Sequence, residues 1–171
     1  MFFNHTMAES LNIRKSTKSD SRTIFNVVNA AYKATVGDTG KAFKTCNRFA
    51  NIDQVEKLLD IFWVGELGGK IVGVVGIEVI GDMVDIGPLA VSTKYQKMGI
   101  GGKLLDFAEE RGVVACVQVM SLITSNLAMY LKRGYEEVKE LPIAEVLPLH
   151  TLSRHDLTVK YLQRKKIKQL G

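Results

Sequence analysis

The stretch Gln96-Lys97-Met98-Gly99-Ile100-Gly101-Gly102-Lys103 decides how this chain is read. An apolar, strand-like run from Val84 to Val91 precedes it. Behind it, Leu104, Leu105, Phe107 and Ala108 recur on one helical face. Strand, glycine-rich turn and helix start together make a holder for phosphate. The first turn of a helix leaves N–H groups without partners, and the helix dipole places partial positive charge there. Glycines let an anion approach that backbone closely. The run is not a P-loop, because Gly102-Lys103 is followed by Leu104 and Lys97 stands where the first glycine belongs. Nor is it a dinucleotide fingerprint, since Gly99, Gly101 and Gly102 have the wrong spacing and no βαβ unit opens the chain.

Outward from this centre the pattern is that of one mixed α/β domain. Leu11–Lys15 reads as a short strand, and Thr17 with Asp20 opens a helix carrying Ile24, Phe25, Val27, Val28 and Ala31. A second short helix is expected through Val55, Leu58 and Leu59. Phe62–Leu67 and Ile71–Ile80 form a hairpin about Gly68-Gly69, and Gly81-Asp82 turns into the strand at 84–91. The helix at 103–111 stops near Gly112. Ala115–Ile123 is a continuous apolar run, expected as a strand buried on both faces. Ser125 is placed to cap a helix that ends at Gly134. Tyr135–Lys139 and Leu157–Leu162 are the last strands, with Pro142 and Pro148 bracketing a loop. The predicted organisation is an extension over 1–10, a domain over 11–162 and a basic tail over 163–171.

With 171 residues, 46% hydrophobic and 24% charged, the chain can bury one substantial core. No apolar run approaches the ~20 residues of a membrane span. The start MFFNHTMAES lacks the basic and apolar regions of a signal peptide, and Met7 offers a second start. Cys46 and Cys116 form no disulfide framework or metal motif, so a reducing, cytoplasmic setting is expected, with Cys116 a buried small hydrophobe. His5, His150 and His155 have no metal-ligand spacing. The net charge is +5, with Lys160, Arg164, Lys165, Lys166 and Lys168 crowding the end. A solvated tail is the ordinary reading, and nucleic-acid binding is the alternative, although no nucleic-acid motif accompanies it.

The run Gln96-x-x-Gly99-x-Gly101 matches Q/R-x-x-G-x-G/A, and the chain thereby resembles the GCN5-related N-acetyltransferase (GNAT) superfamily. The element order β-α-α-β-β-β-α-β-α-β-β agrees over residues 12–162. The resemblance implies a mixed central sheet of six to seven strands flanked by about four helices. It implies acetyl-CoA as cosubstrate without a metal, its pyrophosphate cradled by Gln96, Lys97, Met98, Gly99, Ile100, Gly101, Gly102 and Lys103. It implies that the backbone of Leu89, Ala90 and Val91 pairs with the pantetheine arm. Pro88, which has no N–H, suggests a bulge or splay there.

Asn126-x-Ala128-x-Tyr130-x-x-x-Gly134-Tyr135 resembles the family segment in which Asn contacts the cofactor and Tyr protonates the CoA thiolate. Lys132 and Arg133 are placed to meet the cofactor's 3′-phosphate. For the general base two candidates stand open: Asp85, eleven residues before Gln96, and Glu78 on the adjoining strand. The implied reaction is direct attack of a primary amine, from a small molecule or a peptide, in a ternary complex. A non-catalytic acyl-CoA-binding sensor of the same fold is the rival reading. Acceptor choice would rest with residues 30–60 and 140–156, and the state would be monomer or homodimer.

Overall fold

The computed structural model describes residues 9–37, 47–121, 123–142, 145 and 157–166. Within them run β1 (Asn12–Lys15), α1 (Ser21–Gly37), α2 (Ile52–Glu56), β2 (Phe62–Leu67), β3 (Lys70–Ile80), β4 (Met83–Val91), α3 (Ile100–Glu109), β5 (Val114–Met120), α4 (Thr124–Lys132), β6 (Glu136–Pro142) and β7 (Thr158–Lys165). The seven strands form one sheet in the order β1-β2-β3-β4-β5-β7-β6. The two-residue hairpin between β2 and β3 places Gly68 and Gly69 at φ 54° and 75°, which glycine adopts without strain. Every neighbouring pair is antiparallel except β4 with β5. Parallel strands need a crossover, and α3 supplies it.

Each face of the sheet carries its own core. Ile24, Val28, Phe49, Val55, Phe62, Val64 and Val74 pack together on the α1 and α2 side. Val75, Ile77, Val84, Ile86, Leu104, Leu105, Val117 and Tyr135 pack on the α3 and α4 side. Between Val75 and Ile77 the register with β4 shifts, so that Gly76 alone opposes Gly87 and Pro88. A Cβ at Gly76 would lie 2.2 Å from the Gly87 carbonyl oxygen, so only glycine lets the bulge close against β3.

Several boundaries differ from the sequence reading, each for a local reason. α3 starts at Ile100 rather than 103, because left-handed Gly99 turns the chain directly into the helix. β5 ends at Met120 and is continuously buried on one face only, the other being closed just at Met120. Ala115, Val117 and Val119 point into the core, whereas Cys116 is half-buried and Gln118 exposed. The reading of Cys116 as a buried small hydrophobe is corrected to a half-buried one. α4 begins at Thr124, so Ser125 lies inside the first turn instead of capping it. β7 continues through Lys165, pairing Arg164 with Ala115 and Lys165 with Val114, so residues 163–165 belong to the sheet rather than to a tail. Gly134 does close α4, at φ 93°. Residues 1–8, 38–46, 146–156 and 167–171, which hold His5, Met7, Asp38, Cys46, Pro148, His150, His155 and Lys168, lie outside the described residues.

Candidate active site

β4 and β5 begin together and then part. Their parallel pairing covers Met83 with Val114, Val84 with Ala115 and Asp85 with Cys116, and stops there. β4 continues to Val91 against β3, while β5 continues to Met120 against β7. The bulge at Gly87-Pro88 sits where the separation starts. Ser92 donates its N–H to the Val72 carbonyl at 2.8 Å. Antiparallel strands alternate the direction of their polar groups residue by residue, so the Ala90 backbone faces β3 while those of Leu89 and Val91 face the gap. The Val91 carbonyl accepts a hydrogen bond from the Gln96 side chain at 3.3 Å. The gap is therefore a strand edge inside the sheet, of the kind an extended amide-bearing ligand can pair with.

The glycine run closes the wide end of this gap. Lys97 and Gly99 both adopt positive φ, 62° and 79°. Left-handed residues in such a turn are the backbone habit of anion-binding nests. Gly99 is the N-cap of α3 and offers no side chain to its first turn. The Lys103 N–H is taken by the Gly99 carbonyl, which leaves the N–H groups of Ile100, Gly101 and Gly102 as the open donors of the helix start. Packing does not demand the glycines after Gly99. A Cβ at Gly102 would meet nothing within 4 Å, and one at Gly101 only Val91 Cγ2 at 3.6 Å. They keep clear a space that the protein itself leaves unfilled, which fits a bound pyrophosphate. Lys97, Met98 and Lys103 are exposed around it, and Ile100 is buried beneath.

On α4, Asn126 is exposed in the first turn and Tyr130, one turn later, has a buried ring. Burial, with a smaller contribution from Glu109, pushes the Tyr130 phenol up to about 12, and Arg133 opposes the shift. The phenol thus stays protonated through the neutral range. No group among the described residues hydrogen-bonds its hydroxyl, and no polar side-chain atom among them is sealed from solvent without a partner. Among the described residues the Tyr130 hydroxyl is thus an uncommitted donor. Arg133 is otherwise employed. It donates from Nε and Nη2 to the two Glu109 carboxylate oxygens at 3.0 and 2.9 Å, and also pairs with Asp106. Lys132 and Lys103, by contrast, are exposed.

Asp85 and Glu78 lie directly opposite each other across β4 and β3. Val84 and Ile86 point to the α3 side, so Asp85 points to the other face. No cation pairs with either carboxylate among the described residues. Burial first, and Glu78 second, raise the Asp85 pKa. Asp85 is half-buried at the vertex of the gap, whereas Glu78 is exposed. Sequence reading missed Glu109, whose carboxylate gathers Arg133, Tyr135 and Arg164. One signal was present: an acid in the last residue of a helix opposes the dipole unless cations meet it.

Comparison with known proteins agrees with this geometry. Residues 59–137 match the family model for the acetyltransferase (GNAT) domain. A probable N-acetyltransferase, camello, from Xenopus tropicalis is 31% identical over 108 residues, 58% of this chain. The match spans 48% of that relative, about half its length. Among solved structures, Ard1 from Thermoplasma volcanium superimposes with a TM-score of 0.68 at 15% identity, covering 92% of this chain and 99% of that one. The PaiA N-acetyltransferase from Thermoplasma acidophilum, in complex with coenzyme A, gives 0.65 at 16% identity with the same two coverages, 92% and 99%. Sheet order, parted strands, glycine turn and sequence match converge on the fold of the GCN5-related N-acetyltransferase superfamily, whose domain model residues 59–137 match.

Proposed function

We propose that this protein moves an acetyl group from acetyl-CoA to a primary amine by direct attack in a ternary complex. The observation that carries the reading is the open start of α3 set against the parted strands. One site there offers N–H donors for a pyrophosphate, and the neighbouring edge offers amide pairing for an extended arm. The N–H groups of Ile100, Gly101 and Gly102 would hold the diphosphate, with Lys97 and Lys103 nearby. The Leu89 and Val91 backbones would pair with the pantetheine arm, and Asn126 would flank it. When bound, acetyl-CoA supplies an activated thioester carbonyl.

The residues of the chain then divide the proton traffic. An amine attacks only when neutral, and a carboxylate whose pKa is raised above its ordinary value is a better acceptor for its proton. Asp85 has that shift and faces the side of the sheet away from α3, and Glu78 is the neighbour that helps produce it. Tyr130 holds the proton that the departing thiolate needs, on a hydroxyl that no other described residue engages.

The test is a calorimetric titration of acetyl-CoA and free CoA, followed by thiol release with an amine panel. Micromolar binding to the wild type, and thiol release that Tyr130→Phe reduces at unchanged CoA affinity, are expected. Binding without thiol release from any amine would assign an acyl-CoA-binding module instead. No binding would overturn the reading.

A further inference from the structure

Glu109 is the last residue of α3, with 12% of its side chain exposed, and it accepts four hydrogen bonds. Its Oε1 takes the Tyr135 hydroxyl at 2.9 Å and Arg133 Nε at 3.0 Å. Its Oε2 takes Arg133 Nη2 and Arg164 Nη1, each at 2.9 Å. Tyr135 in turn braces Tyr130. Their rings meet edge to face at 5.2 Å and 71°, and the N–H groups of Tyr135 and Arg133 both donate to the Tyr130 carbonyl at 3.1 Å. Glu109 therefore grips both groups that close the backbone and the ring face of Tyr130.

The two tyrosines differ in one respect that matters. Tyr135 has its hydroxyl committed to Glu109, whereas no described residue hydrogen-bonds the Tyr130 hydroxyl. A brace must be fixed and a donor must be available, and the pair divides those roles. We propose that Glu109 is a positioning residue for acetyl transfer, acting through Tyr135 and Arg133 to hold the Tyr130 phenol in place as proton donor. The inference rests on the reading of Tyr130 given above. The charge of Glu109 also offsets that of Arg133 beside the phenol, which keeps the proton on Tyr130. Because α3 carries the glycine turn at its start and Glu109 at its end, one rigid helix would set the spacing between the phosphate site and the proton donor.

A cycle of kcat and KM measurements on Glu109→Gln, Tyr130→Phe and the double variant tests this, with Tyr135→Phe as a milder variant that removes only one hydroxyl. Tyr130→Phe should lower kcat by at least about tenfold with KM for acetyl-CoA within about twofold. Glu109→Gln should lower kcat by about tenfold at similar KM and cost nothing further in the Tyr130→Phe background. If Glu109→Gln does not fold, Tyr135→Phe carries the test, with a loss of about threefold in kcat that vanishes beside Tyr130→Phe. Equal losses in both backgrounds, or an unchanged kcat in the folded variants, would overturn the role of Glu109 while leaving Tyr130 as donor. An unchanged kcat in Tyr130→Phe would overturn the donor reading itself, and the inference with it.

Discussion

The starts of two helical segments in this molecule are built in opposite ways. The entry to α1 is closed by the protein. Asp20 ends a short 3-10 turn just ahead of Ser21, and its carboxylate accepts the Thr17 N–H at 2.8 Å, the Thr17 hydroxyl at 3.0 Å and two donors of Arg14 at 2.8 and 3.1 Å. The entry to α3 is left open, with a glycine cap, glycines behind it and no acid in the first turn. A helix start attracts negative charge in either case. Where the chain supplies the anion, the result is stability. Where it withholds one, the helix start keeps its pull on an anion from outside the chain.

The largest effect should come from closing the open start. Gly101→Glu brings a carboxylate to the first turn of α3, where it suits the dipole and has room. Acetyl-CoA affinity should fall by more than about 100-fold while thermal stability holds or rises. Calorimetry and a melting curve together check both halves. Opening the closed start comes next. Asp20→Asn should cost about 2 kcal/mol in urea unfolding, the usual worth of charge-assisted hydrogen bonds, with acetyl-CoA affinity unchanged.

The same pair sets a pH dependence. The Arg14 hydrogen bonds, above all, hold the Asp20 carboxyl at about 2, against an ordinary 3.8. A depressed carboxyl stabilises fully above its unfolded pKa and loses that contribution as pH falls through the folded one. The stability gap between wild type and Asp20→Asn should therefore be flat above about pH 5 and shrink as pH falls towards about 2. Unfolding curves across that range decide it. The smallest effect is Gly102→Ala, expected to stabilise α3 by about 0.5 kcal/mol and to weaken acetyl-CoA by less than about tenfold. A loss of stability there would mean that packing, not a ligand, selects the glycine.

What could be read from sequence was local. Gln96 to Lys103 sits between two apolar segments of clear period, so the strand, turn and helix follow from neighbours in the chain. Pro88 signalled the bulge because a missing N–H is a property of the residue itself. The partner of that bulge, Gly76, was silent, since its need for glycine arises from a carbonyl on another strand. Glu109 showed only that an acid at a helix end wants cations, not which ones. Its partners lie 24, 26 and 55 residues further on, and no period connects them. The ion pairs of Arg133 were silent too, because its carboxylate partners Asp106 and Glu109 lie on a different helix. β5 read as doubly buried because apolar residues fill both faces, although only one face is closely packed.

The parting of β4 and β5 has a consequence for how occupancy can be observed. Backbone amides in a paired ladder exchange with deuterium slowly, and those on an unpartnered edge exchange quickly. The amides of Val84 and Asp85 lie in the zipped stretch, and those of Leu89 and Val91 in the parted one, on the same strand a few residues apart. Strand β4 thus carries its own reference clock: deuterium uptake at its far end, measured against its near end, would report a ligand in the gap even when no acetyl group is transferred.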